Sequence, residues 1–310
     1  MSHKTALLFA GQGAQYVGMG KELAEAFPSI RSLLDQSRAI LSYDLPALCF
    51  NGPEAELTKT ENAQPAIFLV CWMALQLLRE HAPAFSFEAT AGLSLGEMTA
   101  LTAAGVFEFK DGLKLARQRG QFMQEACEST KGAMAAVLGL DLEKTRAVCA
   151  EADVEVANLN CPGQIVISGE TEKIARACAL AKSRGAKRAV ALPVAGAYLS
   201  RLMAGAGPKV RTMLTSVSIN LPAVPVISNV TARPHSAPGE IAERLVEQVT
   251  SEVRWEDSMR YLLQQGFTRF IELGPGTVLS VFLKRIDAQA QSLNIEDAAS
   301  LEETIRSCAE

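Results

Sequence analysis

The stretch Ala89-Thr90-Ala91-Gly92-Leu93-Ser94-Leu95-Gly96-Glu97-Met98-Thr99-Ala100-Leu101 decides the fold. Glu88–Gly92 reads as a short strand, and the run from Leu95 to about Ala104 reads as a helix rich in helix-favouring residues. Between them stands G-x-S-x-G, the pattern of a nucleophile elbow, in which glycines let a serine sit on a tight strand-to-helix turn with its Oγ exposed. The pentapeptide alone is a weak signal. With a strand before it and a helix after it, Ser94 becomes a candidate nucleophile, and the Leu95 amide at the helix N-terminus becomes available to a developing oxyanion.

Working outward, Thr5–Ala10 reads as a first strand that ends in Gly11-Gln12-Gly13. A dinucleotide loop would need a third glycine where Tyr16 stands, and no Gly-Lys-Ser/Thr follows, so a nucleotide cradle is rejected. A glycine-rich loop at a strand end instead lets backbone approach a substrate, which makes the Gln12 amide a second oxyanion donor. Ala66–Arg79 reads as a buried helix, too long for a strand and rich in Leu, Met and Ala. Phe109–Cys127 reads as an amphipathic helix carrying Arg117 and Arg119. Gly120 inside that helix is unfavourable relative to Ala, which points to close packing or to a substrate nearby. A buried Arg119 beside a serine nucleophile would select an acyl group with a free carboxylate, because a guanidinium grips a carboxylate through two parallel hydrogen bonds.

Between about Gly132 and Pro193 the pattern changes. Strands are expected at Ala133–Leu138, Val154–Leu159, Gln164–Ser168 and Lys187–Leu192, with helices at Leu142–Glu151 and Thr171–Arg184, and a turn at Asn160-Cys161-Pro162-Gly163. That β-α-β-β-α-β order is the ferredoxin-like pattern. It forms an inserted α+β subdomain of about 60 residues in a longer α/β chain. Beyond it the sequence predicts a strand at Val224–Asn229, helices over Pro238–Thr250 and Trp255–Gln265, a strand at Arg269–Leu273 and a helix after Gly274-Pro275-Gly276.

Composition narrows the function classes. The 310 residues are 48% hydrophobic and 21% charged, enough for a sizeable core and unlike a disordered chain. A formal charge of −4 argues against a general nucleic-acid binder. The longest apolar stretch, Ala66 to Leu78, is interrupted by Gln76 and falls short of the ~20 residues a membrane span needs. The start of the chain lacks the apolar run of a secretory signal, so a cytoplasmic protein is expected. Seven cysteines without a C-x-x-C pair read as buried reduced thiols, with no metal site.

At this point the sequence resembles the malonyl-CoA:acyl-carrier-protein transacylases of fatty-acid synthesis and the related polyketide-synthase acyltransferases. The resemblance rests on Phe9-Ala10-Gly11-Gln12-Gly13-Ala14-Gln15, Gly92-Leu93-Ser94-Leu95-Gly96-Glu97, Arg119-Gly120-Gln121-Phe122-Met123-Gln124, Asn158-Leu159-Asn160-Cys161-Pro162-Gly163-Gln164, Ser228-Asn229-Val230-Thr231 and Glu272-Leu273-Gly274-Pro275-Gly276. These occur in the family order and cover nearly the whole chain. The resemblance implies a hydrolase-like parallel-sheet subdomain, residues 1–129 and 199–310, with the ferredoxin-like subdomain inserted at 130–198. It implies that Ser94 carries the malonyl group as an ester, that Arg119 binds the malonyl carboxylate and that the Gln12 and Leu95 amides form the oxyanion hole. Asn160 matches a polar position near the cleft. Malonyl-CoA and phosphopantetheinylated acyl carrier protein are the implied substrates, with no bound cofactor, no nucleic-acid or membrane partner, and a monomer.

One position departs from the family. Leu199, in Val194-Ala195-Gly196-Ala197-Tyr198-Leu199-Ser200-Arg201, occupies the place of the family's catalytic histidine, and leucine accepts no proton. Loss of a general base costs about 10²–10⁴ in rate. An introduced substitution, a divergent mechanism and a retained binding role each account for it. An acyl-thioester hydrolase and a catalytically impaired carrier-binding homologue therefore stand beside the transferase as alternatives. His3 and His81 read as surface residues, and His235 as a turn residue with a small claim to be a substitute base. Tyr198 stands where malonyl-selective relatives carry an aromatic residue, which resembles a wall against an α-methyl branch. Lys284, Arg285 and Arg201 are candidates for steering an acidic carrier protein.

Overall fold

In the computed structural model, which describes residues 3–309, two sheets share one chain. The larger sheet is parallel and is ordered β7-β2-β1-β8-β9, with β1 at Thr5–Phe9, β2 at Ala89–Gly92, β7 at Val226–Ile227, β8 at Arg269–Leu273 and β9 at Gln291–Ile295. Every residue of β1, β2 and β8 is buried, as expected for strands covered on both faces. Leu7 pairs with Thr90 on one side and Ile271 on the other, so β1 is central and the carboxyl ends of β2, β1 and β8 open at one edge. In open α/β sheets ligands bind outside those ends.

The smaller sheet is antiparallel and is ordered β4-β5-β3-β6, with β3 at Gly132–Leu138, β4 at Glu155–Cys161, β5 at Gln164–Glu170 and β6 at Arg188–Ala191. Helices Leu142–Ala152 and Thr171–Ser183 cover one face and bury Val148, Ile174, Ala177 and Ala181 against Val137, Ile165 and Ile167 in a core of its own. The mixed α/β class with a parallel and a separate antiparallel sheet is the one the sequence predicts. One local expectation is corrected. Asn160 and Cys161 are not in the turn. They continue β4, because Cys161 pairs with Gln164 and leaves only Pro162 and Gly163 to turn the chain. Proline fixes the first of these positions, and Gly163, at φ 71°, supplies the second.

The two sheets meet through β4. The Leu159 amide donates to the Val253 carbonyl at 2.9 Å, and the Val253 amide donates to the Ala157 carbonyl at 2.8 Å. Val253 lies two residues before helix Trp255–Gln264, so one edge of the small sheet is stitched to the larger unit. Helix Thr60–His81 starts earlier than the sequence suggests and runs through Pro65. It packs on helix Phe109–Glu128 so closely that a Cβ on Gly120 would stand 2.6 Å from the Thr60 carbonyl oxygen. That contact is the close packing Gly120 implies. No described helix is long and apolar enough to cross a membrane.

Candidate active site

Ser94 sits between the end of β2 and helix Leu95–Ala103 with φ 52° and ψ −102°, a strained conformation for a residue with a side chain. The flanking glycines make the turn possible. A Cβ on Gly92 would lie 2.0 Å from the Gly96 backbone, and one on Gly96 would lie 2.2 Å from the Phe9 carbonyl oxygen. Asn229, just beyond β7, braces the turn from outside. Its Oδ1 accepts the Ser94 amide at 2.6 Å, and its Nδ2 donates to the Gly92 carbonyl at 2.7 Å.

The serine opens into a cavity of about 280 Å³ lined by Gln12, Ser94, Asn158, Asn160, Tyr198 and Leu199 among others. That volume is near the lower end of ligand pockets, ~300–1,000 Å³, and suits an acyl group with the end of its thiol arm rather than a whole nucleotide carrier. Gln12 is fixed on both sides: its Nε2 donates to Thr60 Oγ1 at 3.4 Å, and its Oε1 accepts Gln64 Nε2 at 3.3 Å. Among the described residues, neither the Gln12 nor the Leu95 amide donates to a carbonyl of the surrounding loops.

Arg119 lies behind Ser94 and is 1% exposed. Its Nη2 donates to Ser94 Oγ at 3.1 Å and to Gln248 Oε1 at 2.9 Å, while Nη1 donates to Gln64 Oε1 at 2.8 Å. Burial lowers the guanidinium to about 10, and the Glu97 charge acts against that shift. Its neighbour Arg117 is turned elsewhere, toward Glu61 and Asn62. Asn160 and Tyr198 line the cavity itself, whereas Arg119 is not among its lining residues and meets Ser94 Oγ from behind. Asn160 is buried with no partner for its Oδ1 among the described residues, and Tyr198 OH shares a hydrogen bond with Thr60 Oγ1. Burial raises the Tyr198 phenol well above its ordinary range, which keeps it neutral.

Leu199 is 4% exposed and has φ 57°. His235 does not line the cavity. It is buried, with Nε2 2.7 Å from Glu97 Oε1. His81 is exposed at the end of its helix against Phe27, and exposed His3 meets Thr268. The cationic cluster does not form as a free patch. Arg201 pairs with Asp153 and Glu155 at 3.0 and 3.3 Å, and Arg285 donates to Gln164 and the Pro162 carbonyl. Lys284 is exposed and has no ion-pair partner among the described residues.

Sequence reasoning missed Gln64, Glu97, Asn229 and Gln248 as parts of this site. Glu97 and Asn229 stand inside the motifs that carry the resemblance, and nothing local marks Gln64 or Gln248. All seven cysteines are free, and Cys127, packed near Tyr198, is pushed up to about 11 by burial. Among the described residues no cluster of His, Cys, Asp and Glu is placed to hold a metal ion.

The family model for the acyl transferase domain matches residues 6–309. The malonyl CoA-acyl carrier protein transacylase of Bacillus subtilis is 43% identical, with 99% of this chain and 98% of that protein covered. The solved malonyl CoA-acyl carrier protein transacylase of Coxiella burnetii superposes with a TM-score of 0.97 at 35% identity, covering 100% of this chain and 99% of that one. A malonyl-transacylase solved in complex with its type II polyketide acyl-carrier protein superposes with a TM-score of 0.95 at 36% identity, covering 98% and 99%.

Proposed function

The chain belongs to the acyl transferase domain family, and on that premise we propose that it is a malonyl-CoA:acyl-carrier-protein S-malonyltransferase of fatty-acid synthesis that works in the cytoplasm. Ser94 Oγ attacks the malonyl thioester carbonyl, CoA leaves with the serine's proton, and the malonyl group rests on Ser94 as an ester. The carrier's phosphopantetheine thiol then attacks the ester carbonyl and returns a proton to Ser94. The Gln12 and Leu95 amides receive the oxyanion in both halves.

The observation that carries this reading is the 3.1 Å contact between Arg119 Nη2 and Ser94 Oγ. In a malonyl ester the carboxylate lies three bonds beyond that oxygen, so an acyl chain folded back toward Arg119 meets a buried cation. An acetyl ester has nothing to offer it. Asn160 and Tyr198 close the acyl pocket, Tyr198 as the wall beside the α-carbon. The small ferredoxin-like unit, residues 130–198, roofs the nucleophile-bearing unit of residues 1–129 and 199–310.

Leu199 supplies no base, so the serine proton passes to solvent or to the departing thiolate. This makes turnover slow without changing its direction. Incubation with labelled malonyl-CoA, followed by intact-protein mass measurement and then addition of acyl carrier protein, tests the reading. The expected result is one malonyl adduct on Ser94 that moves to the carrier thiol. Release of free malonate without transfer would establish a hydrolase instead, and no adduct would leave only a carrier-binding role.

A further inference from the structure

Behind the nucleophile lies a buried carboxylate that the reaction does not touch. Glu97 is fully buried, and a carboxylate cut off from water must find donors for both oxygens. Its Oε2 accepts the Asn229 amide at 3.0 Å and the Gln248 Nε2. Its Oε1 is held by His235 Nε2 at 2.7 Å, with both side chains sealed from solvent. A carboxylate offers only acceptors, so Nε2 is the donor. That commitment, and the absence of His235 from the cavity wall, also removes His235 as a substitute base.

We propose that His235 is a positioning residue for malonyl selection, acting through Glu97 and Gln248 on Arg119. A carboxamide has donors at one end and an acceptor at the other. Gln248 gives its Nε2 to Glu97 and its Oε1 to Arg119 Nη2. Turned over, it would set N–H against N–H at Arg119 and oxygen against oxygen at Glu97. The orientation of Gln248 is therefore set chiefly by the Glu97 carboxylate, with longer contacts from the same Nε2 to the Ser94 carbonyl at 3.2 Å and Asn229 Oδ1 at 3.3 Å, and Glu97 is anchored at its other oxygen by His235. Arg119, which would receive the malonyl carboxylate, takes its placement from this chain of contacts and from Gln64. Glu97 is also the buried countercharge that favours the charged guanidinium.

The inference rests on the proposed malonyl transfer and is tested by acyl preference. His235→Phe keeps a planar ring and removes the donor, and His235→Gln restores an N–H. Single-turnover loading of Ser94 from malonyl-CoA and from acetyl-CoA, read by intact mass on folded protein, gives both efficiencies. For His235→Phe, malonyl efficiency is expected to fall about tenfold more than acetyl efficiency, as a hydrogen bond to a charged group implies. The loss should appear mainly as a higher half-saturating malonyl-CoA concentration, and His235→Gln should recover most of it. Glu97→Gln, which keeps the shape and removes the charge, should reproduce the malonyl-specific loss and serves if His235→Phe does not fold. Equal loss of both acyl groups, or unchanged preference in these variants, overturns the positioning role alone. A parent protein that loads malonyl no better than acetyl overturns that role and the carboxylate clamp together.

Discussion

Leu199 and Ser94 both hold positive φ, 57° and 52°, and both face one cavity. For Ser94 the strain exposes its hydroxyl to the cavity, as a nucleophile would require. For Leu199 it has no use that a leucine can exploit, since positive φ is a genuine outlier for a bulky side chain and is several-fold more acceptable to histidine. The backbone is shaped for a residue other than the one present. Leu199→His is therefore expected to raise malonyl loading of Ser94 by about 10²–10⁴, the usual contribution of a positioned general base. A stopped assay of adduct formation measures it, and an unchanged rate would mean that the missing base is not what limits this enzyme.

Arg119 gives a second test. Arg119→Ala should depress malonyl loading far more than acetyl loading, and Arg119→Lys should not restore it, because an ammonium lacks the planar fork that meets Gln64, Gln248 and a carboxylate together. The same loss for both acyl donors would remove the clamp.

The proposed clamp also has a pH limit. Burial lowers the guanidinium to about 10. Below that value Arg119 is charged and the malonyl preference is constant, and as pH rises through about 10 the cation is lost and the preference declines. The ratio of malonyl to acetyl loading at pH 7 to 10.5 follows this directly. A ratio that declines between pH 7 and 8 would show that another group sets it.

The elbow glycines are expected to be intolerant for a steric reason. Gly92→Ala or Gly96→Ala places a Cβ within 2.2 Å of backbone atoms, and backbone cannot swing aside as a flexible side chain can. Loss of about 3 kcal/mol or more is expected, within the range of the most damaging single changes. Gly205→Ala, where nothing lies within 4 Å of the added carbon, should be near neutral in the same denaturant titration.

Carrier docking should depend on Lys284 rather than on the full basic trio. Arg201 and Arg285 are already engaged within the chain, whereas Lys284 is exposed. Lys284→Glu is expected to raise the half-saturating carrier concentration several-fold at low salt and less at high salt, while loading from a short malonyl thioester that lacks the nucleotide stays unchanged. An equal effect at both ionic strengths would indicate a packing change instead.

Much of this molecule is legible in its sequence, and the illegible part has a common cause. Arg269–Leu273 reads as a strand with its observed bounds because it is short, apolar and closed by Gly-Pro-Gly. The elbow reads from five residues because its geometry is local. Asn160 reads as a turn residue because Pro and Gly follow it, yet pairing with β5 carries the strand two residues further and places Asn160 on the cavity wall. Gln291–Ile295 is not legible as a strand because an edge strand of Gln, Ser and Asn carries little apolar periodicity. Gln248 is the sharpest case. It looks like any glutamine at the end of a helix, and its place beside Arg119 and Glu97 exists only once residues far apart in the chain have packed.

Cys127 carries a further consequence. In the proposed reaction the donor arrives as a thioester and departs as a thiol, while the acceptor arrives as a thiol and departs as a thioester, so a cysteine thiolate near their path would compete for the acyl group by thioester exchange. Burial holds the Cys127 sulfur at about 11, protonated at neutral pH beside Tyr198, which lines the cavity. That sulfur is thereby insulated from the sulfur of the cargo, and no cysteine is among the described residues that line the cavity.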